Sequence, residues 1–173
     1  MSLPPGLIIR AGTPGDAPFI QRVHEESIRG LGPRAYSRAQ VESWASGLTL
    51  SGYVRAMNQG GERFLLAEPA TGGGRFASFC SFTGNRIIGL YTHPHWAGRG
   101  VAGALLGRAE AAIVAEGHER IGVTATLGGR AFYEKHGYRV LQPRDSRTRG
   151  GLLVAVLEME KRFTATRGRG RHS

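Results

Sequence analysis

Residues 86–104, RIIGLYTHPHWAGRGVAGA, decide how the chain is read. Arg86 to His93 carry a strand signal: Ile87 and Ile88 side by side, then Leu90, Tyr91 and Thr92. Pro94 has no N–H for a sheet ladder, so the strand stops near His93. Gly98, Gly100 and Gly103 follow, and a helical pattern starts at Val101. Glycines just before a helix let backbone N–H groups face outward without obstruction. The first turn leaves those N–H groups unpaired, and the helix dipole adds partial positive charge. Strand, glycine loop and helix start therefore make an anion site, above all for phosphate. Arg99 in the loop and Arg108 two turns on add full charges.

The same letters fit G-x-G-x-x-G, the dinucleotide fingerprint. That motif wants its glycines directly after the strand and an acidic residue at the end of the next one. Here His93 to Ala97 intervene, and the next strand ends in Thr124-Ala125-Thr126, with Glu116 and Glu119 lying before it. A different kind of phosphate loop fits better.

Outward from this stretch, the N-terminal half alternates short strands with capped helices. Leu7 to Arg10 form a first strand. Thr13 caps a helix with Pro14 at its first position and Asp16 in its first turn. Ala17, Ile20, Val23 and Ser27 share one face of that helix, which runs to about Arg29 and ends at Gly30, Gly32 and Pro33. Ser37 and Gln40 form a second capping box, opening a helix through Trp44. A third helical piece covers Gly52 to Met57, and Arg63 to Ala67 is a strand. Gly72-Gly73-Gly74 turns it into Arg75 to Phe82, and Gly84-Asn85 leads into the central strand.

Past the central helix, Val101 to Glu116, comes Gly117 as its terminator. Ala102, Leu105, Leu106, Ala109, Ala112 and Ile113 give that helix its apolar stripe. Arg120 to Thr126 is a strand, Gly129 to His136 a short helix, and Tyr138 to Leu141 and Leu152 to Glu160 two more strands. The order is β-α-α-β-β-β-α-β-α-β-β: an α/β chain with a mixed sheet and helices on both faces. One crossover joins the central strand to the Arg120 strand, with hairpins elsewhere.

The 173 residues suit one domain with a real core, spanning 7–161, followed by a basic tail, 162–173, that reads as disordered. Hydrophobic residues make up 40% and charged ones 21%, ordinary for a globular protein. No run approaches the ~18 apolar residues of a membrane span, and MSLPPGLIIR lacks a signal-peptide layout. The single Cys80 excludes an internal disulfide and fits a reducing compartment, so the cytoplasm is expected. Cys80 lies among phenylalanines and reads as a buried, inert thiol. Net charge is +10, which invites a nucleic-acid reading. The arginines are scattered, however, and a small polyanionic ligand uses the same charge, so nucleic acid and membrane are not the expected partners. His93 and His95 flank a proline without further metal ligands nearby, so no metal is expected. Whether the chain forms a homodimer is left open.

LYTHPHWAGRGVAGALL and RAFYEKHGYRV, in this order along the chain, resemble the GCN5-related N-acetyltransferase (GNAT) family. The resemblance runs from about Leu7 to Glu160, and SIRGLGPRAYSRAQVESWA is similar to a bacterial subgroup. Gly100, Val101 and Ala102 match the second half of the family's R/Q-x-x-G-x-G/A signature, while Ala97 stands at the Arg/Gln position. In the later motif Phe132-Tyr133-Glu134-Lys135 and Gly137-Tyr138 match, and Gly128 replaces the usual Asn.

The resemblance implies transfer of an acetyl group from acetyl-CoA to the amine of a small molecule or peptide. Backbone amides from Arg99 to Ala104 (Arg99, Gly100, Val101, Ala102, Gly103 and Ala104) would hold the pyrophosphate. The central strand would splay from its neighbour, and Leu90, Tyr91 and Thr92 would pair with the pantetheine arm. One of their N–H groups would stabilise the oxyanion. Tyr133 would be the general acid for the departing thiolate, with Phe132 more a core residue. Ser27, Tyr36 and Trp44 would line the acceptor cleft. The central strand lacks the Glu that many family members use as base, and Glu25, Glu26, His24 or water stay open for that role. A non-catalytic CoA-binding sensor on the same fold is the alternative.

Overall fold

The computed structural model describes residues 2–72 and 75–164. The chain runs β1 (Leu7–Ala11), α1 (Ala17–Leu31), α2 (Arg38–Ala45), α3 (Leu50–Asn58), β2 (Arg63–Pro69), β3 (Ser78–Thr83) and β4 (Arg86–Thr92). It continues with α4 (Val101–Ala115), β5 (Arg120–Thr126), α5 (Arg130–Lys135), β6 (Arg139–Arg147) and β7 (Leu153–Arg162). The expected α/β order holds, with the third helix a full element. Gly73 and Gly74 of the expected hairpin loop, and most of the basic tail, lie outside the described residues.

The seven strands form one sheet in the order β1-β2-β3-β4-β5-β7-β6. All neighbours are antiparallel except β4 and β5. The expectation of hairpins elsewhere is corrected at two places. Three helices separate β1 from its partner β2, and β7 lies between β5 and β6. The strand expected at Tyr138 to Leu141 reaches Arg147, and nearly every side chain along β6 is exposed. An edge strand with both faces wet shows no alternation in sequence, which hid its length.

The helices cover both faces of the sheet. Leu105, Leu106, Ala109 and Ile113 of α4 pack with Cys80, Ile87, Ile121, Val123 and Met159. On the opposite face Ile20 and Val23 of α1 meet Phe64, Leu66 and Phe79. Beside them Ile28, Tyr36, Val41 and Ala45 meet Val154 and Val156. Ser37 accepts from the Gln40 N–H at 3.2 Å while the Gln40 side chain accepts from the Ser37 N–H at 3.0 Å, closing the expected capping box. Of the stripe expected on α4, Ala102 and Ala112 are only half-buried, whereas Glu110 is buried and pairs with Lys161 at 2.8 Å. Among the described residues no helix is long and apolar enough to cross a membrane.

Candidate active site

Two strands that begin as partners and then separate create the site. β4 and β5 pair only at Arg86↔Gly122 and Ile87↔Val123. A bulge at Ile88 shifts the β3–β4 register between Ser81 and Phe82. Beyond it β4 follows β3 as far as Thr92, while β5 follows β7 as far as Thr126. A bulge bends the strand that carries it, which accounts for the parting. The inner edge of β4 from Ile88 to Thr92 is thus left without a strand partner. A cavity of about 490 Å³ opens along that edge, lined by Leu90, Tyr91 and Thr92 on one side and Thr124, Ala125 and Thr126 on the other.

One end of the cavity is the start of α4. Gly100 caps the helix with φ of 83°, a left-handed conformation that glycine adopts without strain. The N–H groups of Gly100, Val101, Ala102 and Gly103 find no backbone acceptor among the described residues, and all four residues line the cavity. Of the amides expected to hold a pyrophosphate, Arg99 to Ala104, the first and the last already have backbone acceptors. The Ala104 N–H is taken by the Gly100 carbonyl at 3.1 Å, closing the first helical turn. The Arg99 N–H donates to the Trp96 carbonyl at 3.4 Å, and its guanidinium lies over the Trp96 ring. Neither residue lines the cavity.

Tyr133 reaches the same cavity from α5, whose approach is fixed by Thr126 accepting from the Gly129 N–H at 3.0 Å. Its ring is buried, with Phe132 and Tyr138 at ring-centroid distances of 5.2 and 5.3 Å. The hydroxyl has no hydrogen-bond partner among the described residues, which leaves it available to a ligand. Burial pushes the phenol well above its ordinary pKa, with Cys80 and Tyr91 adding to the effect, so it is protonated at neutral pH. Phe132 packs against the α4 core, as expected, but also touches the cavity. Cys80 is fully buried, and burial raises its thiol far above the reactive range.

Ser27, Tyr36 and Trp44 all line the end of the cavity formed by α1, α2 and their connection. Tyr36 is also a clasp: its hydroxyl donates to the Ala155 carbonyl at 2.8 Å and accepts from the Leu127 N–H at 3.0 Å. Trp44 meets Tyr36 edge-on at 5.9 Å and Tyr91 at 6.4 Å. Sequence reasoning missed Arg34, Lys135 and His136, which also line the cavity. A cation in a connection between helices has no periodic pattern that would mark it.

The candidate bases do not reach this space. His24 stacks on Tyr91 at 3.8 Å, and its Nδ1 lies 2.9 Å from the Tyr53 hydroxyl. Burial pushes its pKa down to about 3, helped by the charge of Arg149, so it is neutral there. Glu25 is held by Gln21 and Arg29, and Glu26 pairs with His93 at 2.6 Å. No aspartate or glutamate is among the residues lining the cavity. Among the described residues no group of three or more His, Cys, Asp or Glu is placed to hold a metal ion.

The family model of the acetyltransferase (GNAT) domain matches residues 33–163. The chain belongs to the GNAT acetyltransferases. The family makes it an acyltransferase with a CoA-type cosubstrate and an amine acceptor. A GCN5-related N-acetyltransferase from Rhodopseudomonas palustris is 27% identical, with a TM-score of 0.82 over 94% of this chain and 99% of the other. Two more distant structures share the GNAT fold. The PaiA N-acetyltransferase from Thermoplasma acidophilum, in complex with coenzyme A, is 21% identical with a TM-score of 0.69, covering 91% and 99% of the two chains. The yncA protein of Salmonella typhimurium, with its cofactor acetyl-CoA, is 15% identical with a TM-score of 0.66, covering 96% and 99%. No protein of curated function matches the sequence.

Proposed function

We propose that this GNAT enzyme transfers an acetyl group from acetyl-CoA to the amine of a small molecule or peptide by direct attack, with Tyr133 as general acid. The observation that carries the reading is a shared cavity. It is lined by residues of the free edge of β4, by Gly100 to Gly103 with their unpaired N–H groups, and by Tyr133. The relatives solved with coenzyme A and acetyl-CoA support the same cosubstrate.

The pyrophosphate would sit on the amides of Gly100 to Gly103, where the helix dipole favours negative charge. The pantetheine arm would take the place of the missing strand along Ile88 to Thr92. Its thioester carbonyl would then accept from a β4 N–H, which stabilises the oxyanion as the amine nitrogen attacks. As the C–S bond breaks, the Tyr133 hydroxyl donates its proton to sulfur. The nitrogen loses a proton to water, and the phenolate recovers one from solvent, leaving the amide and the free thiol.

Replacing Tyr133 by Phe tests this. CoA release with a responsive amine should fall on the order of 10²-fold in kcat, with CoA affinity by calorimetry little changed. Unchanged kcat would remove Tyr133 from the mechanism. CoA binding with no turnover on any amine would instead mark a non-catalytic sensor.

A further inference from the structure

The acceptor arm of the cavity has a definite chemistry. Ser27, Ile28, Leu31, Tyr36 and Trp44 make it apolar and aromatic. Arg34, in the connection between α1 and α2, is the charged residue on this arm and has no ion-pair partner among the described residues. Lys135, at the end of α5, is the other charged side chain lining the cavity, and it belongs to the wall beside Tyr133. Nothing anionic lines the cavity, although the sequence contains 13 aspartates and glutamates.

Two consequences follow, both resting on the transferase reading above. A polyamine, an aminoglycoside or a lysine side chain would bring positive charge to a wall that offers only more of it. Such an amine also has an ordinary pKa near ~10.4, so only about one molecule in a few thousand is neutral at pH 7. With no carboxylate or accessible imidazole on the acceptor arm to take its proton, it would enter almost wholly unreactive. An α-amine with a pKa of about 8 is neutral in roughly one molecule in ten, a gain on the order of 10²-fold without any base.

We infer that the acceptor is a weakly basic amine on an apolar or aromatic body that also carries an acidic group, such as a small peptide-like α-amine with a carboxylate. The aromatic corner of Tyr36, Trp44 and Tyr91, where Trp44 meets both tyrosine rings edge-on, takes the apolar body. Arg34 takes the acid as a bidentate partner. The missing base becomes a specificity feature, because the enzyme acts only on amines that arrive neutral.

The test compares kcat/KM with acetyl-CoA for phenylalanyl-glycine, phenylalanyl-glycinamide, Nα-acetyl-lysine and spermidine. The free dipeptide should exceed its amide at least 10-fold, and the two strongly basic amines, with pKa values of ~10, should be slower than either. In Arg34→Gln the dipeptide-to-amide ratio should fall to about one. Arg34 is exposed, and an unchanged melting temperature confirms that the variant is folded. Preference for spermidine or acetyl-lysine overturns the inference and leaves the transferase reading intact. A ratio untouched in the variant overturns the role of Arg34. If no amine reacts while calorimetry shows coenzyme A bound, the transferase reading itself fails and this inference falls with it.

Discussion

At Gly100 a single methyl group separates two effects. A Cβ there would meet nothing closer than the Ser2 carbonyl at 4.0 Å, so space is not the constraint. The constraint is φ of 83°, which costs an L-residue roughly 1–2 kcal/mol. Gly100→Ala should therefore lower stability by about that amount in urea titration. If the backbone relaxes out of the left-handed region instead, the four N–H groups lose their convergence, and the calorimetric Kd for coenzyme A should rise about 10-fold or more. Full stability with full affinity would show that the loop does not need this conformation. The glycines were readable in sequence because only a few residue types serve such a turn, and Tyr133 stood in a readable motif. Arg34 was not, since an exposed arginine in a connection looks like any other solvated charge. Glu110 was likewise hidden: it lies among alanines on a helix, and only the fold brings Lys161 to it.

His24 acts between elements. It stands on α1, accepts or donates a hydrogen bond with Tyr53 of α3, and stacks on Tyr91 of β4. Its folded pKa of about 3 lies below the ~6.5 of an exposed imidazole. The unfolded chain therefore binds the proton first. The stability tied to neutral His24 is complete above pH ~6.5 and is lost as pH falls toward 3. The slope within that window approaches about 1.4 kcal/mol per pH unit. Urea titrations at pH 7, 6, 5 and 4 should show it in the parent and not in His24→Phe, which keeps a ring against Tyr91. Below pH 4 both proteins should lose stability again, because Arg10 holds the Asp16 carboxyl down to about 2 and that pair fails on protonation. Parallel curves for the two proteins between pH 6 and 4 would refute the role of His24. Among the elements, the capped helices and β4 were legible because caps, proline and glycine act locally. The insertion of β7 between β5 and β6 was not, because strand neighbours depend on packing that no short stretch encodes. The parting of β4 from β5 was implied only by resemblance, since the bulge at Ile88 looks like ordinary strand sequence.

For the whole molecule, the net charge of +10 has to be matched with a partner. A nucleic acid would need a contiguous basic surface, and several arginines are instead held in ion pairs, among them Arg10, Arg29, Arg63, Arg86 and Arg144. The phosphates of coenzyme A need less: unpaired amides for close contact and a positive field to draw them in. Arg99 just before α4, Arg108 two turns along it and Lys135 on the cavity wall would supply such a field. The Debye length shrinks from about 10 Å at 0.1 M salt to about 3 Å at 1 M, so the field is screened over that range while the amide contacts are not. The Kd for coenzyme A should therefore rise several-fold between 0.1 and 1 M NaCl. That for S-acetylpantetheine, which carries no phosphate, should stay flat. If both ligands respond alike, the salt acts on the fold or the pocket and the positive charge has another use. If only coenzyme A responds, the excess of arginine is explained by the ligand proposed for the glycine loop.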